Sequence, residues 1–340
     1  MFKQDRTNPS TAVSNWKGRT HTPKAWPSTA ISTWLNGGLF SAGGAVPAGP
    51  KGYTGAGTGL TTTFDRIVFA TDVFTNVEFD SNAWGSSGGI SDNSVAGYVS
   101  AYPYYGGAGG TSGYIRKWTY ATETGSSESA TLATPHDGGC NFSDADRGFW
   151  SKGYTPSGTR LSAVEKFTYG TATISAATSL GSGSNDLLGF SASTIGYSFC
   201  GYTNFGNSSA VYATAYSTGA YTTKTSPPAA ASSGTTTSNV GTAAYINCYT
   251  TGGTTLAYTS LWKCTYSSDS YSVLTSMLTT GFPHSGNRGT LNDGSTSGFI
   301  CGNNYTTVAK INFSSDTSSN LSTGLSSAAR QGSALTEGYL

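Results

Sequence analysis

The chain has 340 residues, of which 18 are basic and 17 acidic, so charged side chains make up 10% and the net charge is +1. An ordinary soluble domain carries roughly 25%, and so neutral a chain excludes nucleic-acid binding driven by net field; Glu, Lys, Leu and Arg are also too scarce for coiled coils or helical bundles. With 46 glycines, 11 prolines and 13% aromatic residues, the composition fits an all-β fold of many short strands and turns, with aromatics enough to build a core.

Residues 1–33 carry Trp16, Trp26, Pro9, Pro23 and Pro27 with several bases and no strand pattern. They are expected to form an extended arm, with the folded domain spanning 34–340. No apolar core follows Met1-Phe2-Lys3-Gln4, and no apolar run approaches 18 residues. Neither a signal peptide nor a transmembrane helix is expected. Residues 49–59 give a short Gly-x-y echo, too brief for a collagen helix and read as a long flexible loop. Cys140, Cys200, Cys248, Cys264 and Cys301 are odd in number and widely spaced. They are expected to be free core thiols of a chain made in a reducing compartment.

The main signal is an internal repeat. Six segments end in an aromatic residue: Phe69, Tyr120, Tyr169, Tyr216, Tyr266 and Phe313, at steps of 51, 49, 47, 50 and 47. A base lies three residues before it in five copies (Arg66, Lys117, Lys166, Lys263, Lys310), and an acid three after it in four (Asp72, Glu123, Asp269, Asp316). Upstream of each runs a Gly-aromatic pair: Gly97-Tyr98, Gly148-Phe149, Gly196-Tyr197 and Gly298-Phe299, with Gly38-Leu39-Phe40 and Ala244-Tyr245 as variants. A further strand and a tight turn, such as Asp144-Ala145-Asp146-Arg147 or Asn292-Asp293-Gly294, precede that pair. Four strands in about 49 residues is the size of one propeller blade. Alternation places Trp118 and Tyr120 on one face and Lys117 and Thr119 on the other, and stacked blades bury such faces on one another. Six aromatic segments predict six blades, with a seventh, incomplete blade as the alternative. The C-terminal stretch Gly332-Ser333-Ala334-Leu335 starts a unit that it does not finish, so it is expected to complete the blade begun at Gly38.

The bases allow two arrangements. They form a ring of positive charge, or, as preferred, each lays its stem along its blade and meets the acid on its own hairpin. The acids at Asp72, Asp269 and Asp316 are expected to accept backbone N–H groups in Asx turns. The three histidines, His21, His136 and His284, have no metal-ligand spacing, and His136 is read as a loop residue. There is no phosphate-binding loop and no nucleophile elbow. No catalytic residue, metal or other cofactor is therefore expected. Exposed aromatics suit adaptable recognition, including stacking on sugars; the candidates are Tyr102, Tyr104, Tyr105, Trp16 and Trp26.

The unit resembles the kelch-type β-propeller repeat, in which a Gly-aromatic strand is followed by an aromatic strand and an acidic turn. The Gly/Ser/Thr/Tyr-rich, weakly charged composition resembles propeller-bearing virion proteins of tailed phages, including cyanophage tail and fibre components. Ser267-Ser268-Asp269 and Ser314-Ser315-Asp316 resemble the Asp-box turns of sialidase-type propellers, which are structural. These resemblances imply a non-enzymatic tail, fibre or nozzle-associated protein in a symmetric assembly. It would be made in a host cytoplasm, be joined to other virion subunits by its arm, and offer loops to a host-surface glycan or protein, without membrane insertion. A secreted or surface lectin or adhesin is the alternative, and a propeller-scaffold glycosidase the third reading.

Overall fold

The computed structural model describes residues 49–55, 63–79, 85–102, 113–136, 138–155, 157–251, 259–275, 277–278, 287–288, 291–301, 306–326 and 333–337. The chain divides between Pro47 and Ala48, and all the described residues belong to the second unit. They form a six-bladed β-propeller.

Each blade is built on four antiparallel strands, and in blade 5 the two-residue strand Asn287–Arg288 adds a parallel fifth beside Ala230–Asn239. In order from the inner to the outer strand, blade 1 is Ser333–Thr336, Lys51–Gly55, Thr63–Val68 and Val73–Glu78; blade 2 is Gly85–Ser91, Ala96–Tyr102, Gly113–Thr119 and Thr124–Leu132. Blade 3 is Cys140–Ser143, Arg147–Tyr154, Arg160–Thr168 and Thr173–Ala176; blade 4 is Leu188–Ser191, Ile195–Phe199, Val211–Ala215 and Tyr221–Thr223. Blade 5 is Ala230–Asn239, Ala243–Thr251, Leu261–Thr265 and Ser270–Leu274; blade 6 is Leu291–Asn292, Ser297–Cys301, Val308–Asn312 and Thr317–Asn320. The inner strands pack on one another in ring order, and that of blade 6 meets that of blade 1.

The C-terminal strand closes the ring, but not where the sequence pointed. Ser333–Thr336 pairs with Lys51–Gly55, with Gly52 opposite Thr336. The Gly-aromatic pair of blade 1 is thus Gly52-Tyr53, and Gly38 lies outside the described residues. Residues 51–55 are a mostly buried strand rather than a loop. Their glycine spacing imitates a Gly-x-y run because strand glycines in this fold serve close approach.

One interaction is repeated at all six seams. The aromatic of each Gly-aromatic pair lies against the repeat aromatic of the next blade: Tyr53 on Tyr120, Tyr98 on Tyr169, Phe149 on Tyr216, Tyr197 on Tyr266, Tyr245 on Phe313 and Phe299 on Phe69. Centroids are 5.1–5.9 Å apart, and five of the six pairs are stacked. Each such pair adds about 0.5–1.5 kcal/mol beyond its area burial. The glycine before the strand aromatic makes room for the preceding blade. A Cβ at Gly196 would overlap the Phe142 ring, and one at Gly148 would overlap Ile90.

The charged repeat positions also staple seams, which corrects the expectation of pairing within one hairpin. Arg66 of blade 1 reaches Glu123 of blade 2 at 2.6 Å; Lys263 of blade 5 reaches Asp316 of blade 6, and Lys310 of blade 6 reaches Asp72 of blade 1, both at 2.7 Å. The third strand turns its basic face toward the following blade, so its own hairpin acid points away. The Asx-turn role moves too. It falls to Asp92, Asp144 and Asp293, between the inner and second strands, whose Oδ1 atoms accept two or three backbone N–H groups each. The position three after the repeat aromatic has a left-handed backbone in all six blades: Asp72, Glu123, Ala172, Gly219, Asp269 and Asp316 have φ between 49° and 71°.

All five cysteines are buried free thiols. Glu165 is also buried and accepts the Ala133 N–H at 2.7 Å. Burial raises its pKa above the ordinary carboxylate range, against the pull of the Ala133 and Thr134 N–H groups. A raised folded-state pKa means tighter proton binding in the folded state, so this contribution is greatest below the unfolded pKa and is lost as pH rises through the folded one. Compared with Glu165→Gln, the natural chain is therefore expected to melt relatively higher at pH 4 than at pH 7, as paired thermal scans at the two pH values will show.

Candidate recognition surface and axial cavity

The inner strands converge on an axial cavity of about 60 Å³. Its wall carries one small polar residue from the same register position of each blade: Ser91, Ser143, Ser191, Ser238, Asn292 and Thr336. These stand opposite Gly97, Gly148, Gly196, Ala244, Gly298 and Gly52. The hydroxyls knit neighbouring blades. The Ser91 N–H donates to Ser143 Oγ at 3.3 Å, the Ser143 N–H donates to Ser191 Oγ at 3.1 Å, and Ser91 Oγ donates to the Thr336 carbonyl at 2.5 Å. Repeat tyrosines reach back across the seams: the Tyr120, Tyr169 and Tyr266 hydroxyls donate to the carbonyls of Thr336, Ser91 and Ser191. Burial pushes these three phenols well above their usual pKa, so they remain donors. Phe69 and Phe313 lack that hydroxyl. Among the described residues the buried Thr336 hydroxyl has no hydrogen-bond partner, and the cavity is large enough to hold ordered water that satisfies it.

The opposite face holds the loops between second and third strands. There Tyr154 ends the second strand of blade 3 and Arg160 starts its third. The Arg160 guanidinium lies between two rings, 4.9 Å from the Tyr154 centroid and 5.0 Å from that of Tyr202. Its Nε donates to Asn185 Oδ1 at 2.8 Å, one terminal nitrogen donates to the Tyr154 hydroxyl at 2.6 Å, and the other donates to Asn204 Oδ1. Asn185 passes the contact on, its Nδ2 donating to Asp186 at 2.6 Å. Tyr202 and Asn204 belong to a small hairpin, Tyr202–Thr203 paired with Gly206–Asn207, inserted between the second and third strands of blade 4. It is bridged to Asn185 on one side, while the adjoining Ser208 is bridged to Ala231 of blade 5 on the other. Gly206 at φ 108° makes the turn. The clamp holds Phe205 at the tip, 99% exposed. Tyr114, Tyr202 and Tyr249 are exposed at the same ends of their strands.

Of the aromatics singled out in the sequence, Tyr102 ends the second strand of blade 2. Its side chain, with Tyr104, Tyr105, Trp16 and Trp26, lies outside the described residues. His136 is a loop residue as expected, its Nδ1 2.9 Å from the Thr134 carbonyl oxygen, and burial lowers its pKa. Neither Arg160 nor the hairpin stands out in the repeat pattern of the sequence. The available signal was Asn204-Phe205-Gly206, a turn tripeptide with an aromatic at its crest. Among the described residues no group of three or more His, Cys, Asp or Glu could hold a metal ion.

No protein-family model matches the chain, and the search of curated proteins finds no match. Among solved structures, one titled "Structure of YjhT" is similar, with a TM-score of 0.59 and 12% identity over 81% of this chain and 95% of that one. At that identity the likeness is one of propeller fold alone.

Proposed function

We propose that the chain is a non-enzymatic recognition and assembly module of a virus particle, a tail, fibre or nozzle-associated propeller whose loop face meets a partner subunit or the host surface. The observation that carries this reading is the clamped hairpin, which offers a fully exposed phenylalanine from a rigid ring. A pre-ordered aromatic loses little entropy on binding, and such residues supply much of the energy of interfaces. The virion context rests on the resemblance of the weakly charged, Gly/Ser/Thr/Tyr-rich composition to phage tail and fibre proteins, and residues 1–33 are assigned to attachment.

The test has two readouts. Mass spectrometry of purified particles is expected to contain the chain, and Phe205→Ala is expected to weaken host adsorption or subunit capture at least tenfold while leaving the melting temperature within about 1 °C, as exposed positions do. Absence from particles, or a Phe205→Ala protein that works normally, overturns the proposal. The clamp of Tyr154, Arg160, Tyr202 and Asn204 favours one second reading, a glycan-binding surface, which a glycan array on the purified chain examines.

A further inference from the structure

The six seams follow one plan and three of them carry the same charged pair, so a seam that keeps the donors and lacks the acid shows what is missing. At the blade 1/2 seam, Glu123 is held by Arg66 at 2.6 Å and by the Tyr53 hydroxyl at 3.0 Å. At the 5/6 seam, Asp316 takes both oxygens' contacts from Lys263 at 2.7 Å and one from the Tyr245 hydroxyl at 2.5 Å. Each carboxylate thus sits between a cation from the third strand and a phenol from the second. The cation also lies over the phenol ring: Lys263 is 5.5 Å from the Tyr245 centroid.

The blade 2/3 seam repeats every donor. Lys117 is 5.8 Å from the Tyr98 centroid, and Tyr98 stacks on Tyr169 as Tyr245 stacks on Phe313. The receiving turn is built alike. Hydroxyl pairs Thr171–Thr173 and Ser315–Thr317 flank it in blades 3 and 6, and the backbone between them is left-handed, with φ 49° at Ala172 and 52° at Asp316. The residue at that turn, however, is alanine. Among the described residues no carboxylate lies within ion-pair distance of Lys117. Asp92 is engaged with the N–H groups of its own turn. Asp92 and Glu128 lie close enough to disfavour Tyr98 ionisation, and burial disfavours it more strongly, so the Tyr98 hydroxyl stays a donor. The neighbouring 3/4 seam has only half of the arrangement, Lys166 with Phe149.

We propose that the blade 2/3 seam is a carboxylate-binding site, in which Lys117 Nζ and the Tyr98 hydroxyl, above the Ala172 turn, grip a carboxylate supplied from outside the chain. Its source is either a small free carboxylate or an Asp or Glu side chain of another protein, and the chemistry at the seam is the same.

Lysine side-chain ammonium NMR decides it. Sodium acetate and the peptide N-acetyl-Gly-Asp-Gly-amide are titrated against sodium chloride and the Gly-Asn-Gly peptide at equal ionic strength. Both carboxylates are expected to shift the Lys117 resonance saturably, and the two controls are not. Binding by the Asp peptide more than fivefold tighter than by acetate assigns the site to a protein side chain, and equal binding assigns it to free carboxylates. Ala172→Asp is expected to abolish both responses and raise the melting temperature, because the chain then fills its own site; Asp72, Asp269 and Asp316 show that the turn accepts this residue. Tyr98→Phe, a residue that Phe149 and Phe299 show the position tolerates, is expected to weaken binding at least threefold. A linear, chloride-like response in the natural chain, or a response unchanged in both variants, overturns the proposal.

Discussion

A chain ending at residue 332 is expected to lose its cooperative melting transition and to aggregate, whereas one ending at residue 337 is expected to melt as the full chain does. The deleted strand Ser333–Thr336 is the inner strand of blade 1, held edge-on by Lys51–Gly55. Leu335 is buried with Tyr53, Trp118, Tyr120 and Val99, and Ala334 with Ile67, Phe69 and Leu291. Removing the strand therefore uncovers apolar surface at both seams of blade 1. It frees the backbone edge of Lys51–Gly55, a ready template for association, and takes away the Thr336 carbonyl that receives Ser91 and Tyr120. Burial of one leucine alone is worth about 2 kcal/mol; with a strand ladder and two seams added, the loss is on the order of the 5–15 kcal/mol that stabilises a whole domain. Differential scanning calorimetry with size-exclusion chromatography measures it, and a truncated chain that stays monomeric with a melting temperature near that of the full chain would show that the ring does not depend on this closure.

Glu123→Ala is the second large effect expected, a loss of about 3–5 kcal/mol. Glu123 is the shared partner of three donors at the closing blade. It lies 2.6 Å from Arg66, 3.7 Å from Lys51 and 3.0 Å from the Tyr53 hydroxyl. Lys51 is only 3% exposed and has Glu337 as its other partner, at 3.3 Å. Deleting one member of a buried network leaves the remaining charges desolvated and underpaired, which costs more than the pair contributes when intact. The double variant Lys51→Met with Glu123→Leu is expected to regain much of the loss, since two apolar groups need no partner. Chemical denaturation of the three proteins checks both statements; a Glu123→Ala chain within 1 kcal/mol of the natural one would mean that Lys51 finds water or a substitute acid.

Glu337 adds a pH dependence to the same network. Burial raises its pKa, while Lys51 pulls it down more weakly. Its ionised form is therefore the costlier one in the folded ring, and mild acid does not loosen the closing strand through this residue.

The period of about 49 residues, the six aromatic positions, the Gly-aromatic strands and the all-β class could all be read from residue order. They depend on local alternation and on a repeat that each blade must obey to cover its neighbour. The first blade could not be read so. Its strands Lys51–Gly55 and Ser333–Thr336 lie far apart in the chain, and Gly52-Tyr53, which carries the Gly-aromatic pair itself, sits in a run of glycines at every third position that hides it, while Gly38-Leu39-Phe40 offers a looser variant of the pair. Pairing across the ring shows that the C-terminal strand completes the blade of Gly52-Tyr53, since hydrogen-bond register between remote segments leaves no local trace. The charges behaved similarly. Alternation puts Lys263 and Lys310 on the face opposite the aromatics, but not which blade that face meets. The ring direction decides that they grip Asp316 and Asp72 of the following blade, and that the equivalent turn of the blade after Lys117 carries Ala172 in place of an acid. The Arg160 clamp is further still from residue order, since Tyr154, Asn185, Tyr202 and Asn204 come from two blades and meet only where adjacent sheets are set side by side. Local steric and hydrophobic preferences thus specified the blade, whereas contacts between blades followed from closing the circle, in which every side chain's partner depends on the rotation between repeats rather than on its neighbours along the chain.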